Sequence, residues 1–162
     1  MQSDLKYIDA DVNDSELLTA TAVNSKMIWG YSEEQMSLWQ TELEVTSTYI
    51  LQNKVVKCFD NDNFIGFFAI QIKQNEIPEI EHLWLLPGKT NQNYGRKIFH
   101  YILDYVTSIG FTNIKLVTEP HAKGFYDKMG GKITSKHESK ISGRFLDIYE
   151  FNFEKATNAN PG

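Results

Sequence analysis

The segment Leu83-Trp84-Leu85-Leu86-Pro87-Gly88-Lys89-Thr90-Asn91-Gln92-Asn93-Tyr94-Gly95-Arg96-Lys97-Ile98 changes its period halfway along. Its first part belongs to a stretch over Ile77–Leu86 that reads as a strand. From Gly95 to Ile109 the apolar residues fall at 98, 99, 102, 103, 106 and 109, the spacing of one helix face. A polar loop opened by Pro87-Gly88 joins the two. The first amides of a helix have no intrahelical acceptor and sit at the positive end of its dipole, so such a junction can hold a phosphate. Gly95 allows close approach of a ligand to the backbone, and Lys89, Arg96 and Lys97 add positive charge. An ordinary strand-to-helix connection would look the same. Neither GxxxxGK[ST] nor GxGxxG is present.

Working outward, Gly110 closes the helix, and Asn113–Thr118 reads as a strand followed by a short helix over Ala122–Met129. Two closing strands, Lys132–Ser139 and Phe145–Phe153, are separated by Ser142-Gly143. Upstream, Val55–Phe59 and Phe64–Ile72 flank Asp60-Asn61-Asp62-Asn63, the pattern of an antiparallel hairpin. Leu5–Asp9 predicts a first strand. Asp14–Trp29 predicts a helix whose apolar face is Leu17, Leu18, Val23, Met27 and Ile28, stopped by Gly30. Ser32 with Gln35 is a capping-box signature, and Met36, Trp39 and Leu43 follow on one face of a second helix. The order of elements predicts an α+β, or α/β three-layer, fold with a mixed sheet. Residues 1–155 are expected to form a single domain, with 156–162 a flexible C-terminal tail lacking apolar anchors.

Composition narrows the function classes. The chain has 162 residues, 41% hydrophobic and 23% charged, which excludes a largely disordered, collagen-like or helix-spanned membrane protein. The net charge is −5, and it is uneven: residues 1–60 hold 4 basic against 10 acidic side chains, the rest 12 against 11. No basic stripe argues for nucleic acid; an acidic front suits a cationic small substrate, although solvated surface explains most of these charges. Cys58 is the only cysteine, and His82, His100, His121 and His137 lack metal-ligand spacing, so no disulfide or metal site is expected. Without a secretory-type start, the cytoplasm is the expected location.

Two segments resemble the GNAT N-acetyltransferase superfamily, in particular its small uncharacterised bacterial-type members. Gln92-Asn93-Tyr94-Gly95-Arg96-Lys97, after Leu85-Leu86-Pro87, is similar to the acetyl-CoA signature Q/R-x-x-G-x-G/A, with Lys97 in place of the last small residue. Glu119-Pro120-His121-Ala122-Lys123-Gly124-Phe125-Tyr126-Asp127-Lys128-Met129-Gly130-Gly131 resembles D-P-N-A-x-x-F-Y-x-x-M-G-A. Trp29-Gly30-Tyr31-Ser32 also resembles a segment of the bacterial members. The resemblance implies a mixed, mostly antiparallel central sheet splayed at the cofactor site near Leu85 and Val117 and flanked by helices. It implies acetyl-CoA as cosubstrate, with no metal, and a primary amine as acceptor: a small molecule, or an amine of a protein or peptide. A homodimer is possible in such a fold; nucleic acid and membrane are not expected partners.

Site residues follow from the same resemblance. The backbone of Leu83, Trp84 and Leu85 would run beside the pantetheine arm. The amides of Gln92, Asn93, Tyr94, Gly95, Arg96, Lys97 and Ile98 would hold the pyrophosphate. His121 stands where an asparagine near the pantetheine is usual, and Tyr126 matches the tyrosine that protonates the departing thiolate. An amine must lose a proton to attack a thioester. Glu81, on one face of its strand with Glu79 and Leu83, is the candidate base; His82, on the other face with Ile80 and Trp84, competes with it. A paired sheet carboxylate and a structural histidine are the bland alternatives. Trp29, Tyr31 and Trp39 suit an acceptor pocket or, better, helix packing. Cys58 in a strand reads as an inert core thiol. Direct transfer in a ternary complex is the expected activity; a non-catalytic acyl-CoA-binding or sensing domain of the same fold is the alternative.

Overall fold

Ile65–Ile70, within Phe64-Ile65-Gly66-Phe67-Phe68-Ala69-Ile70, is buried without interruption. A strand that hides alternate side chains on both faces must lie inside a sheet covered on both sides. The computed structural model describes residues 4–90, 93–118, 120–139 and 144–153. Its strands are β1 Leu5–Asp9, β2 Lys54–Asp60, β3 Asn63–Gln71, β4 Glu79–Leu85, β5 Asn113–Val117, β6 Lys132–Glu138 and β7 Phe145–Asn152. The helices are α1 Ser15–Met27, α2 Glu33–Leu38, α3 Gln40–Leu43, α4 Ser47–Gln52, α5 Tyr94–Ser108 and α6 Lys123–Lys128, with 3₁₀ turns at Val12–Asp14 and Pro120–Ala122. The strands form one mixed, mostly antiparallel sheet in the order β1-β2-β3-β4-β5-β7-β6, flanked by helices. No helix among the described residues is long and apolar enough to cross a membrane.

Two compact units make up the chain, one from Met1–Gln71 and Glu81–Lys97, the other from Ile72–Ile80 and Ile98–Gly162. In the first, β2 pairs antiparallel with β1 and β3, and a bulge falls after Cys58, which lies opposite Gly66. Gly66 packs so closely on the Trp84 carbonyl that a Cβ there would stand 2.1 Å from the oxygen. The α1 face that is buried consists of Leu18, Thr21, Ala22 and Ser25. Leu17, Met27 and Ile28, expected inward, are exposed. Small and hydroxylated residues replace them because Thr21 bonds the Leu17 carbonyl and Ser25 the Leu85 carbonyl, each at 2.8 Å, which satisfies both hydroxyls inside. The Ser32–Gln35 capping box forms in both directions. The second N-terminal helix breaks at Trp39, which is buried between α2 and α3.

In the second unit, β7 lies between β5 and β6 and pairs antiparallel with both. The start of β4 pairs parallel with β5 at Glu79 opposite Lys115. Ile98, Phe99, Ile102 and Val106 of α5 are fully buried, as their spacing predicts. Every residue of the edge strand β6 is exposed, and its Lys132 and Lys136 discourage pairing with another chain.

Candidate functional site

Glu81 and His82 alternate across β4, so one is half-buried and the other buried. The Tyr49 hydroxyl of α4 donates to Glu81 Oε1 at 2.6 Å. His82 receives the Trp84 indole N–H on Nδ1 at 3.0 Å, and packs against the rings of Phe67 and Tyr49. A nitrogen that accepts carries no proton, so the ring proton of neutral His82 sits on Nε2. Burial lowers the His82 pKa to about 4. It is therefore a weak proton acceptor held in the interior. Neither Tyr49 nor its helix was singled out from the sequence; Thr46, whose side chain caps the α4 N-terminus, is a local signal that could have marked it.

Leu83, Trp84 and Leu85 are half-buried in β4. The Leu85 carbonyl accepts from Ser25, and the next amide, Leu86 N–H, donates to Ile65 at 2.9 Å. Gln92 lies outside the described residues. Asn93 takes a left-handed conformation at φ 60° just before α5. Tyr94, buried at the first position of the helix, donates its hydroxyl to Asp60 of β2. Gly95 and Lys97 are half-buried and Arg96 is exposed. The Lys97 amide donates to the Asn93 carbonyl at 3.2 Å, so the helix itself uses that donor. Tyr94, Gly95 and Arg96 stand before that first helical bond, so the helix itself offers their amides no acceptor.

Ile98, His121 and Tyr126 belong to the second unit. His121 is exposed in a 3₁₀ turn, whereas Ile98 is fully buried. Tyr126 is 7% exposed, its ring set among Phe99, Phe125, Tyr149 and Phe151. Burial raises its pKa, because the phenolate would lose its hydration. Two tethers hold α6: Lys123 pairs with Asp147 at 2.7 Å, and Asp127 accepts the Tyr149 hydroxyl. A Cβ on Gly131 would stand 2.6 Å from the rings of Tyr149 and Phe151, so glycine replaces the family-like alanine for want of room.

The remaining candidates resolve by burial. Cys58 is fully buried and its thiol is pushed up to about 12 by desolvation, which leaves it unreactive. Trp39 is core, 3% exposed; it makes an edge contact with Tyr31 and carries the Lys26 ammonium 3.9 Å from a ring centroid. Trp29 is exposed. Among the described residues no group of three or more His, Cys, Asp or Glu could hold a metal ion.

A family model described as "Acetyltransferase (GNAT) family" matches residues 19–131. The fold is similar to that of PaiA N-acetyltransferase from Thermoplasma acidophilum, solved in complex with coenzyme A: TM-score 0.75, 20% identity, 92% of this chain and 99% of that one covered. An acetyltransferase of the GNAT family from Staphylococcus aureus is similar at TM-score 0.71 and 15% identity, over 93% and 99%. N-acetylglutamate synthase from Neisseria gonorrhoeae, complexed with coenzyme A and N-acetyl-glutamate, matches at TM-score 0.65 and 15% identity, over 94% of this chain and 36% of that one. No curated protein matches the sequence at a significant level.

Proposed function

The chain belongs to the acetyltransferase (GNAT) family, and from that membership we propose that it transfers the acetyl group of acetyl-CoA directly to a primary amine in a ternary complex. The amine lone pair attacks the thioester carbon. The carbon–sulfur bond breaks, and the sulfur leaves as a thiolate. Glu81, or a water it holds, takes the proton from the amine, and Tyr126 protonates the thiolate. The products are an N-acetyl amide and CoA. Residues 1–155 act in this as one acetyltransferase domain.

The observation that carries the proposal is the start of α5. A 15-residue helix is the next helix after β4, with Asn93 left-handed at its entry and Tyr94 tied to Asp60. The amides of Tyr94, Gly95 and Arg96 are thus preset for a diphosphate, with the side chains of Arg96 and Lys97 adding charge. Glu81 is preferred to His82 as base because His82 is buried, oriented by Trp84 and weakly basic. The acidic first sixty residues favour a cationic acceptor.

The test is release of free thiol from acetyl-CoA in the presence of a panel of amines, with calorimetric binding of acetyl-CoA alongside. Turnover with any amine supports transfer. Tight binding without turnover makes the protein an acyl-CoA sensor, and no binding removes the proposal.

A further inference from the structure

The Glu81 carboxylate is held on one side only. Its Oε1 accepts the Tyr49 hydroxyl at 2.6 Å, and among the described residues no other hydrogen bond or ion pair reaches either oxygen. An ionised carboxylate can accept at both oxygens, so the single O–H leaves Oε2 open. Tyr49 and Glu81 are both half-buried, and each keeps part of its surface in solvent. Both belong to the first unit, so the contact lies within one compact body.

Tyr49 is itself fixed at both ends of its backbone. Its amide donates to Thr46 Oγ1 at 3.0 Å, and its carbonyl accepts the Asn53 amide at 3.1 Å and the Asn53 side chain at 3.0 Å. The next residue, Ile50, is buried. The phenol ring stands edge-on to that of His82, 5.7 Å between centroids. Backbone and ring are thus ordered independently of Glu81, and little freedom is lost in keeping the bond. Glu81 gains more from it. The terminal torsion of a glutamate is broad, with no sharp staggered wells, so a free carboxylate swings. One strong, charge-assisted bond to Oε1 stops that swing and sets where Oε2 stands. Placement matters at this level, since a misplacement of about 1 Å can cost about 10²-fold in rate.

We propose that Tyr49 is a positioning residue for proton removal: its hydroxyl holds Glu81 in one orientation, leaving Oε2 to take the proton of the acceptor amine, directly or through a water. The proton passes from the amine nitrogen to Oε2 and on to solvent, while the nitrogen lone pair forms the bond to the acetyl carbon. Tyr49 donates a hydrogen bond and transfers no proton. This rests on the reading of Glu81 as base given above, and adds the residue that aims it.

The test compares wild type with Tyr49→Phe, Glu81→Gln and the double variant in the thiol-release assay, with calorimetric acetyl-CoA affinity alongside. Tyr49→Phe removes one oxygen and keeps the ring. Its kcat should fall about 10-fold, with the KM for the amine and the affinity for acetyl-CoA unchanged. Glu81→Gln should lose about 10²-fold or more. In that background Tyr49→Phe should cost nothing further, because two residues that act as a unit are not additive. Wild-type kcat in Tyr49→Phe, with Glu81→Gln impaired, overturns the positioning role and leaves the base in place. A further full loss in the double variant also overturns it, since Tyr49 would then act other than through Glu81. If Tyr49→Phe fails to fold, the bond serves only to tie α4 to β4 and the proposal falls. Wild-type turnover by Glu81→Gln overturns the base and this role together.

Discussion

Tyr126 has the protonation behaviour that its proposed role needs. Burial raises the phenol above its ordinary value of 10, so it stays protonated throughout the neutral range and can donate to a thiolate. Tyr126→Phe should lower kcat on the order of 10²-fold and leave acetyl-CoA affinity unchanged. A variant that turns over like wild type would remove the phenol from the chemistry. His82 makes a stability prediction of its own. Its pKa is about 4 in the folded chain against 6.5 ordinarily, so between these values the unfolded state binds more protons. The contribution is fully present above pH 6.5 and is lost as pH falls toward 4. In full it amounts to somewhat over about 3 kcal/mol. Denaturant unfolding at pH 7 and pH 4.5 should show this acid loss in wild type and a correspondingly smaller one in His82→Gln. Equal losses in both would place the proton elsewhere.

Among the elements, β3 and β4 are matched by the absence of a side chain. With the Trp84 oxygen 2.1 Å from where a Cβ would be built, Gly66→Ala has nowhere to relax except by moving backbone. The expected cost is about 3 kcal/mol or more, seen as a lower urea midpoint with the slope unchanged. A wild-type midpoint would mean that the two strands do not approach so closely. Short helices were the hardest elements to read. The six residues of α4 complete fewer than two turns, too few for a hydrophobic period, and it went unread although its Thr46 cap could have marked it. Conversely, α5 is long enough for its buried row to declare itself. In α1 the period misled, because its inward face is built from Thr21, Ala22 and Ser25 beside Leu18, and hydropathy does not count a satisfied hydroxyl as core.

Over the whole molecule, charge should act on acceptor choice. The net −6 of the first sixty residues attracts a cationic amine at low ionic strength and is screened within about 10 Å at 0.1 M salt. For such an acceptor kcat/KM should fall several-fold between about 20 mM and about 500 mM salt. An acceptor amine that also bears a carboxylate should be much less sensitive; equal sensitivity would show that the acidic segment does not steer. The succession of strands and long helices along the chain, the Asp60–Asn63 turn, the helix after Pro87 and the segment ending in Phe125-Tyr126 were all legible from the sequence, because period, turn chemistry and motif are local properties. The partners were not. Tyr49 reaches Glu81 across 32 residues, Tyr94 reaches Asp60 across 34, and Ser25 reaches Leu85 across 60. The buried Thr118 hydroxyl, which has no hydrogen-bond partner among the described residues, is likewise invisible in one dimension, for it is defined by what fails to surround it. The sequence by itself determined the strands, the long helices and which residues are chemically able to act. Only the tertiary structure decided which of them are held, buried or left unsatisfied, because hydrogen bonding and desolvation depend on neighbours distant along the chain.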